Sequence, residues 1–171
     1  MFLEGNGVMQ DYSESARWME RAGQKGDKLS QFRVGLLYLA SSEIEADYTL
    51  ALSWFQASAG QGYAPAQSLL AAMYYDGLGV AQDFEEAAKR YRQAAEQGDA
   101  TAQFKLGGMF FNGEGVIKDS VTSYMWINIS AVSGNQLSVD ARDLFESAFP
   151  ADQVADGQLR ARICFSSDYQ D

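Results

Sequence analysis

Histidine is absent from the 171 residues. That absence removes the commonest general base, the Ser–His and Cys–His nucleophile pairs, and most transition-metal sites. There is one cysteine, Cys164, so an internal disulfide is excluded, and the choice between bacterial cytoplasm and periplasm stays open. Prolines number two, Pro65 and Pro150, and no long apolar run occurs, so neither a membrane-spanning helix nor an intact secretory signal is expected. Basic residues are scarce: 13 Lys and Arg stand against 23 Asp and Glu, a formal charge of −10. A nucleic-acid binder needs a basic face for phosphate, so that class is disfavoured. No Ser-x-x-Lys, Gly-x-Ser-x-Gly, HExxH or EF-hand pattern is present. Asn128-Ile129-Ser130 has glycosylation spacing but falls inside a helical stretch. The expectation is therefore a protein that is no enzyme and carries neither metal nor cofactor.

What the chain does have is repetition. With 47% apolar residues it can build a core. Shifted against itself by 36 positions, it superposes Gly26, Gly62, Gly98 and Gly134, and likewise Asp11, Asp47, Asp83 and Asp119. Gly5, Gly77 and Gly113 coincide, as do Gly7, Gly79 and Gly115, Gln31, Gln67 and Gln103, and Trp18, Trp54 and Trp126. A fixed period in this range marks a stacked array.

Each period reads as two helices. In "APAQSLLAAMYYD" and "ATAQFKLGGMFFN", Ala66, Leu70 and Tyr74, or Ala102, Leu106 and Phe110, follow i, i+4, i+8 and form one core stripe. Asp27 and Asp99 are expected N-caps, and Pro65 suits a first turn. The Gly-x-Gly-Val segment ends the first helix, because glycine takes positive φ without steric cost. Val8, Ile44, Val80 and Val116 are expected to fold back onto the core. The recurrent aspartate opens the second helix; Asp11 with Glu14 and Asp83 with Glu86 have capping-box spacing. Ala87, Ala88, Ala94 and Ala95 allow close packing, and the Gly98 column closes the helix. A phosphate loop occurs once per fold and not once per repeat, so these glycines are read as structural.

The pattern Ala-x-Ala-Gln-x-x-x-Leu-Gly-x-x-Tyr-x-x-Gly-x-Gly-Val-x-x-Asp-x-x-x-Ala-x-x-Trp, then Ala-Ala-x-x-Gly, resembles the Sel-one-like repeat (SLR) family, a relative of the tetratricopeptide repeat. The resemblance implies an all-α fold, a right-handed superhelix of antiparallel helix pairs. The array would span 1–134, with a capping helix pair and tail in 135–171. It implies first helices lining a concave surface, and a role in holding protein complexes together.

The second repeat departs from the pattern, with Ser41 and Glu43 at the glycine positions, and Arg90 occupies a tryptophan column. With Cys164 alone the chain lies outside the family's disulfide-stapled branch, so the antibiotic-binding and hydrolysing activities suggested for that branch do not transfer. Met1 falls inside a repeat, as expected of a shortened chain or a late start codon, and the face so bared could pair two copies as a homodimer. After Gly134 the stretches "LSVDARDLFESAF" and "ADQVADGQLRARICF", with Pro150-x-x-Gln153 and Arg160-Ala161-Arg162, resemble the closing segment of bacterial members. A cap is needed because the last repeat would otherwise bare an apolar face.

Residues two and nine positions after the first alanine lie about 180–200° from the core stripe. They are Phe104 and Phe111, Ser68 and Tyr75, and Phe32 and Leu39, with Leu36, Ala72 and Gly108 between them and Arg33 and Lys105 alongside. If this is the inner wall, an apolar and aromatic strip there marks a site for an extended peptide or an amphipathic helix. The alternative is that these side chains pack on the neighbouring repeat. Glu43, Glu45, Glu85 and Glu86 near loops and helix starts would attract a basic partner or merely keep the array soluble. The reading is a non-enzymatic interaction scaffold. The alternative is a cell-wall or small-ligand binding protein or hydrolase, which would need a pocket of convergent polar groups.

Overall fold

The computed structural model describes residues 12–40 and 46–167. Every element among them is helical: α1 (Tyr12–Gln24), α2 (Lys28–Ala40), α3 (Tyr48–Gly60), α4 (Ala64–Asp76), α5 (Phe84–Glu96), α6 (Ala100–Asn112), α7 (Ser120–Val132), α8 (Gln136–Ala148) and α9 (Ala151–Ser167). The all-α expectation holds. Two bodies are compact in themselves: one up to Gln82 with α1–α4, one from Asp83 with α5–α9.

The helices begin where the chain supplies an acceptor. Asp27, Asp47, Asp83 and Asp99 accept the backbone N–H three residues on, at 2.7, 2.9, 3.0 and 2.7 Å. Asp119 accepts from both Val121 and Thr122, and Asn135 from Ser138. Each satisfies a donor that the first turn leaves without a partner. Second helices end on the glycine column, where Gly26, Gly62, Gly98 and Gly134 have φ of 94°, 77°, 87° and 87°. The residue after each glycine donates back five positions, as Asp99 does to the Ala94 carbonyl at 3.1 Å, which closes the helix.

Antiparallel pairing follows from two hydroxyls. Ser58, late in α3, donates to the Lys28 carbonyl at the start of α2 (2.7 Å), and Ser130 in α7 donates to that of Ala100 in α6 (2.6 Å). Successive repeats are tied by the glutamine column. Buried Gln31, Gln67 and Gln103 donate to the carbonyls of Gly23, Ala59 and Ala95, at 3.0, 3.4 and 3.0 Å, near the end of the preceding second helix.

The two glycines of the turn do different work. Gly77 and Gly113 cap α4 and α6 in the left-handed conformation, donating to Met73 and Met109. Gly79 and Gly115 permit a close approach. A Cβ on Gly79 would sit 2.5 Å from the Tyr48 carbonyl oxygen, and one on Gly115 would run into that of Phe84. Each turn thus rests against the first residue of a preceding second helix. Val80 packs on the core cluster of Ala51, Phe55, Leu70 and Met73, and Val116 is half-buried.

Helix α8 stands one period after α6, but its far side has changed. The fully buried column Val34, Leu70, Leu106 becomes Arg142, and the packed column Gly35, Ala71, Gly107 becomes Asp143. Arg142 pairs with Asp143 at 2.8 Å and approaches Glu146 at 3.9 Å. Among the described residues α9 packs on α7 and barely touches α8. Gly157 admits the Tyr124 ring, and Ala161 is buried. Tyr124 donates to Glu146 (2.7 Å) and accepts from Gln158 (3.2 Å); burial, and then the carboxylate, push its hydroxyl up to about 12. Arg160 reaches Thr122 (3.2 Å), Asp156 (2.9 Å) and the capping Asp119 (3.6 Å).

Some details differ from expectation. Glu86 does not complete a capping box: its carboxylate is engaged by Arg90 (2.6 Å) and Lys89 (3.2 Å), a helical i, i+4 and i, i+3 pairing that competes for the same oxygens. Of the tryptophan column, Trp126 is buried and Trp54 half-buried, while Trp18 is 56% exposed, with the Arg21 guanidinium 5.2 Å from its ring centre. Cys164 is half-buried. Residues 1–11, 41–45 and 168–171, which include Val8, Ile44, Glu43, Glu45 and what the first repeat has of a first helix and its turn, lie outside the described residues.

Two outcomes follow for stability. Gly79→Ala should cost more than about 3 kcal/mol, strain plus a backbone clash, whereas Gly98→Ala, with open space around it, should cost about 1–2 kcal/mol; urea denaturation separates them. Asp119 is held below the usual carboxylate range by its Thr122 hydrogen bond, against the opposing effect of burial, with help from the Thr122 and Val121 amides and Arg160. A lowered folded pKa adds stability above the unfolded value, about 4, that is lost as pH falls through the folded value. The melting temperature of Asp119→Asn should therefore fall less than wild type between about pH 5 and 2.

Candidate interaction surface

Each first helix buries one side and leaves an arc open. In α6, Ala102, Gln103, Leu106, Gly107 and Met109 are buried. The opposite arc carries Thr101, Lys105, Gly108, Phe111 and Asn112, exposed or half-buried. In α2 the open positions are Leu29, Arg33, Leu36 and Ala40.

The ten residues singled out from the sequence divide by how much packing takes of them. Leu36, Arg33, Lys105 and Phe111 are exposed; Phe32, Leu39, Ala72, Tyr75, Phe104 and Gly108 are half-buried. In the first body Phe32 sits edge-on to Tyr63 (5.2 Å between ring centres) and beside Phe55 (5.8 Å), and Leu39 packs on the same cluster. In the second body Phe111 stands edge-on to Phe145 (5.4 Å) and Phe149 (6.4 Å), while the Lys118 ammonium lies 5.3 Å from its ring centre. Phe111 remains 39% exposed. The aromatic margins of these arcs thus share their surface between packing and solvent.

Among the apolar residues missed, Leu29 on α2 is 39% exposed, Leu137 and Leu144 on α8 are 64% and 68% exposed, and Ile117, before Lys118, is 90% exposed. One further step of the 36-residue period puts Leu144 in the column of Leu36, Ala72 and Gly108, and Leu137 in that of Leu29. The signal was present but ran past the stretch counted as repeats.

Adjacent glycines in α6 have opposite causes. A Cβ on Gly107 would meet Ile127 of α7 at 2.8 Å, so helix contact requires it. A Cβ on Gly108 would meet nothing within 4 Å. Glycine inside a helix costs about 1 kcal/mol relative to alanine, and at Gly108 no neighbour offsets that cost.

Charge on the first helices runs against the chain as a whole. α2, α4 and α6 carry Lys28, Arg33 and Lys105 against one acid, Asp76. Acids gather instead at helix starts and on α8, where Asp140 is held by Gln136 at 3.0 Å. Among the described residues no group of three metal-type side chains converges, and no helix is long and apolar enough to cross a membrane. Open depressions among the described residues include one against Asn128, Val132, Gln158 and Arg162 and one against Trp18, Arg21 and Lys25. Neither gathers acid and base groups about a common point.

The Sel1 repeat profile matches residues 1–27, 28–63, 64–99 and 100–135. The chain belongs to the Sel1 repeat family. The matched segments begin where α2, α4 and α6 begin, so a Sel1 repeat runs from a first helix through a turn to a second helix, the turn being glycine-built after α4 and α6. Sel1 repeat proteins are in general protein-interaction scaffolds, and the family is typically non-catalytic. The chain is similar to a protective antigen of uropathogenic Escherichia coli strains displaying an SLR fold, at 27% identity and a TM-score of 0.87, over 96% of this chain and 36% of that one. It is similar to a Sel1 repeat protein from Oxalobacter formigenes at 29% identity and a TM-score of 0.82, over 98% of this chain and 54% of the other. It thus spans about a third and about half of those two relatives. The cysteine-rich protein B of Helicobacter pylori shares the fold at 18% identity and a TM-score of 0.62, over 80% of this chain and 98% of its own. Comparison with curated proteins gives no match.

The exposed Leu144 and the buried Phe145 should separate in stability. Leu144→Ala should change it by less than about 0.5–1 kcal/mol, and Phe145→Ala should cost about 3–5 kcal/mol, both read from urea denaturation midpoints.

Proposed function

We propose that this Sel1 repeat chain is a non-enzymatic scaffold whose first-helix arcs take up a partner protein segment, a peptide or a helix. The observation that carries the reading is the open arc itself. Leu36 and Leu144 occupy the same repeat column, both exposed, at positions where solubility alone would select polar residues. The same column holds Ala72 in the first body and Gly108 in the second, small residues that leave room over the helix in each. The polar far side of α8 and the seat of α9 on α7 support residues 135–171 as the closing cap. A hydrolase or small-ligand receptor would need a pocket with a shifted acid or lysine. Among the described residues the largest shift belongs to Tyr124, which the packing of α8 and α9 on α7 explains.

The test is affinity purification from the source cell with the full chain as bait. Wild type should retain a partner that the Leu36→Glu, Leu144→Glu variant loses at unchanged helical circular dichroism. These exposed positions are cleaner than Phe104→Ala with Phe111→Ala, since Phe111 also braces Phe145. Equal retention by both proteins would refute the reading.

A further inference from the structure

Resting on that reading, we propose that the arc of α6 around Gly108, with Leu144 of α8 beside it, binds an acidic segment that lays an apolar side chain over Gly108 and sets carboxylates against Lys105 and Lys118. The proposal concerns the second body alone. Its floor is Gly108, an interior helix position with open space where a side chain would stand and no packing reason to lack one. On the same face of α6, Phe111 is 39% exposed; it meets Phe145 of α8, whose neighbour in sequence, Leu144, is 68% exposed and stands one period after Gly108. Single exposed apolar residues are ordinary; a glycine beside them on an open helix face is a place where another chain can approach closely.

Charge selects the occupant. In a chain of net charge −10, α6 contains no acid, and Lys105 is its one charge. Lys118 adds a second cation, its ammonium placed on the Phe111 ring and thus beside the apolar strip. Of the acids on α8, Asp143 and Glu146 are paired with Arg142, and Asp140 keeps its charge beside Gln136. A basic segment would meet both lysines and be repelled, whereas an acidic one is steered in.

Fluorescence anisotropy with the full chain tests this, using three labelled peptides that share two leucines four residues apart and carry glutamate, glutamine or lysine elsewhere. The glutamate peptide should bind at least about tenfold more tightly than the lysine one, with the gap narrowing in salt. Lys105→Glu with Lys118→Glu should reverse the order. Gly108→Ala should raise the melting temperature by about 2 °C yet weaken the glutamate peptide, and Gly108→Leu should abolish its binding with circular dichroism unchanged. Equal affinity for the three peptides, no binding of any, or indifference to Gly108→Leu overturns the inference. The scaffold reading survives those results and falls only on the retention test with Leu36 and Leu144.

Discussion

A repeat of 36 residues cannot bury its own apolar side, so everything else depends on how one repeat finds its register on the next. The buried glutamine column does this with a directional bond. Its amide N–H reaches a carbonyl in the closing turn of the preceding helix, one that also accepts the N–H of the column glycine three residues on. Such a bond contributes about 1 kcal/mol net, but leaving the groups buried and unpaired costs about 1–3 kcal/mol, so it penalises a slipped register more than it stabilises the correct one. Where Gln61 donates to the Gln31 carbonyl oxygen at 2.7 Å, the corresponding residue two repeats on is Ser133, whose hydroxyl bonds to Ile129 instead. The Gln103 side-chain oxygen is buried without a partner there, and this joint is less completely satisfied than its counterpart.

With register fixed from the inside, the outer arcs of the first helices are free to vary. Between α4 and α6 their core columns are identical, Ala66 and Ala102, Leu70 and Leu106, Met73 and Met109, and α2 keeps small or aliphatic Ser30, Val34 and Leu37 there. The open column, by contrast, runs Leu36, Ala72, Gly108, Leu144. Structural constraint and chemical choice thus sit on opposite sides of the same helix. The arcs also hold most of their charge as lysine and arginine while caps and α8 hold acids, so a chain that is acidic in total presents a different sign where a partner would lie.

Much of this was legible from spacing. Aspartate caps, left-handed glycines and the two-helix period recur column by column, because each answers a local backbone requirement that any repeat must meet. Less legible was whatever depends on a residue's particular neighbours. Glu86 has the spacing of a capping box, yet Arg90, standing in a tryptophan column, takes its carboxylate. Phe32 and Phe111 occupy equivalent arcs on different helices, and only the contacts show one against Tyr63 and the other against Phe145 and beneath Lys118. Gly107 and Gly108 are indistinguishable as letters; one is required by Ile127 and the other by nothing in the chain. Leu137 and Leu144 could have been found by continuing the same period into α8, which keeps the register after the repeat consensus has faded.

That fading at α8 has a consequence for how such a gene can grow. Arg142 and Asp143 replace the aliphatic and the small residue against which a companion helix would settle. A duplicated module joined downstream of Ala148 would find an ionic surface instead of a socket. Tandem duplication therefore avoids that mismatch only by insertion upstream of Gln136.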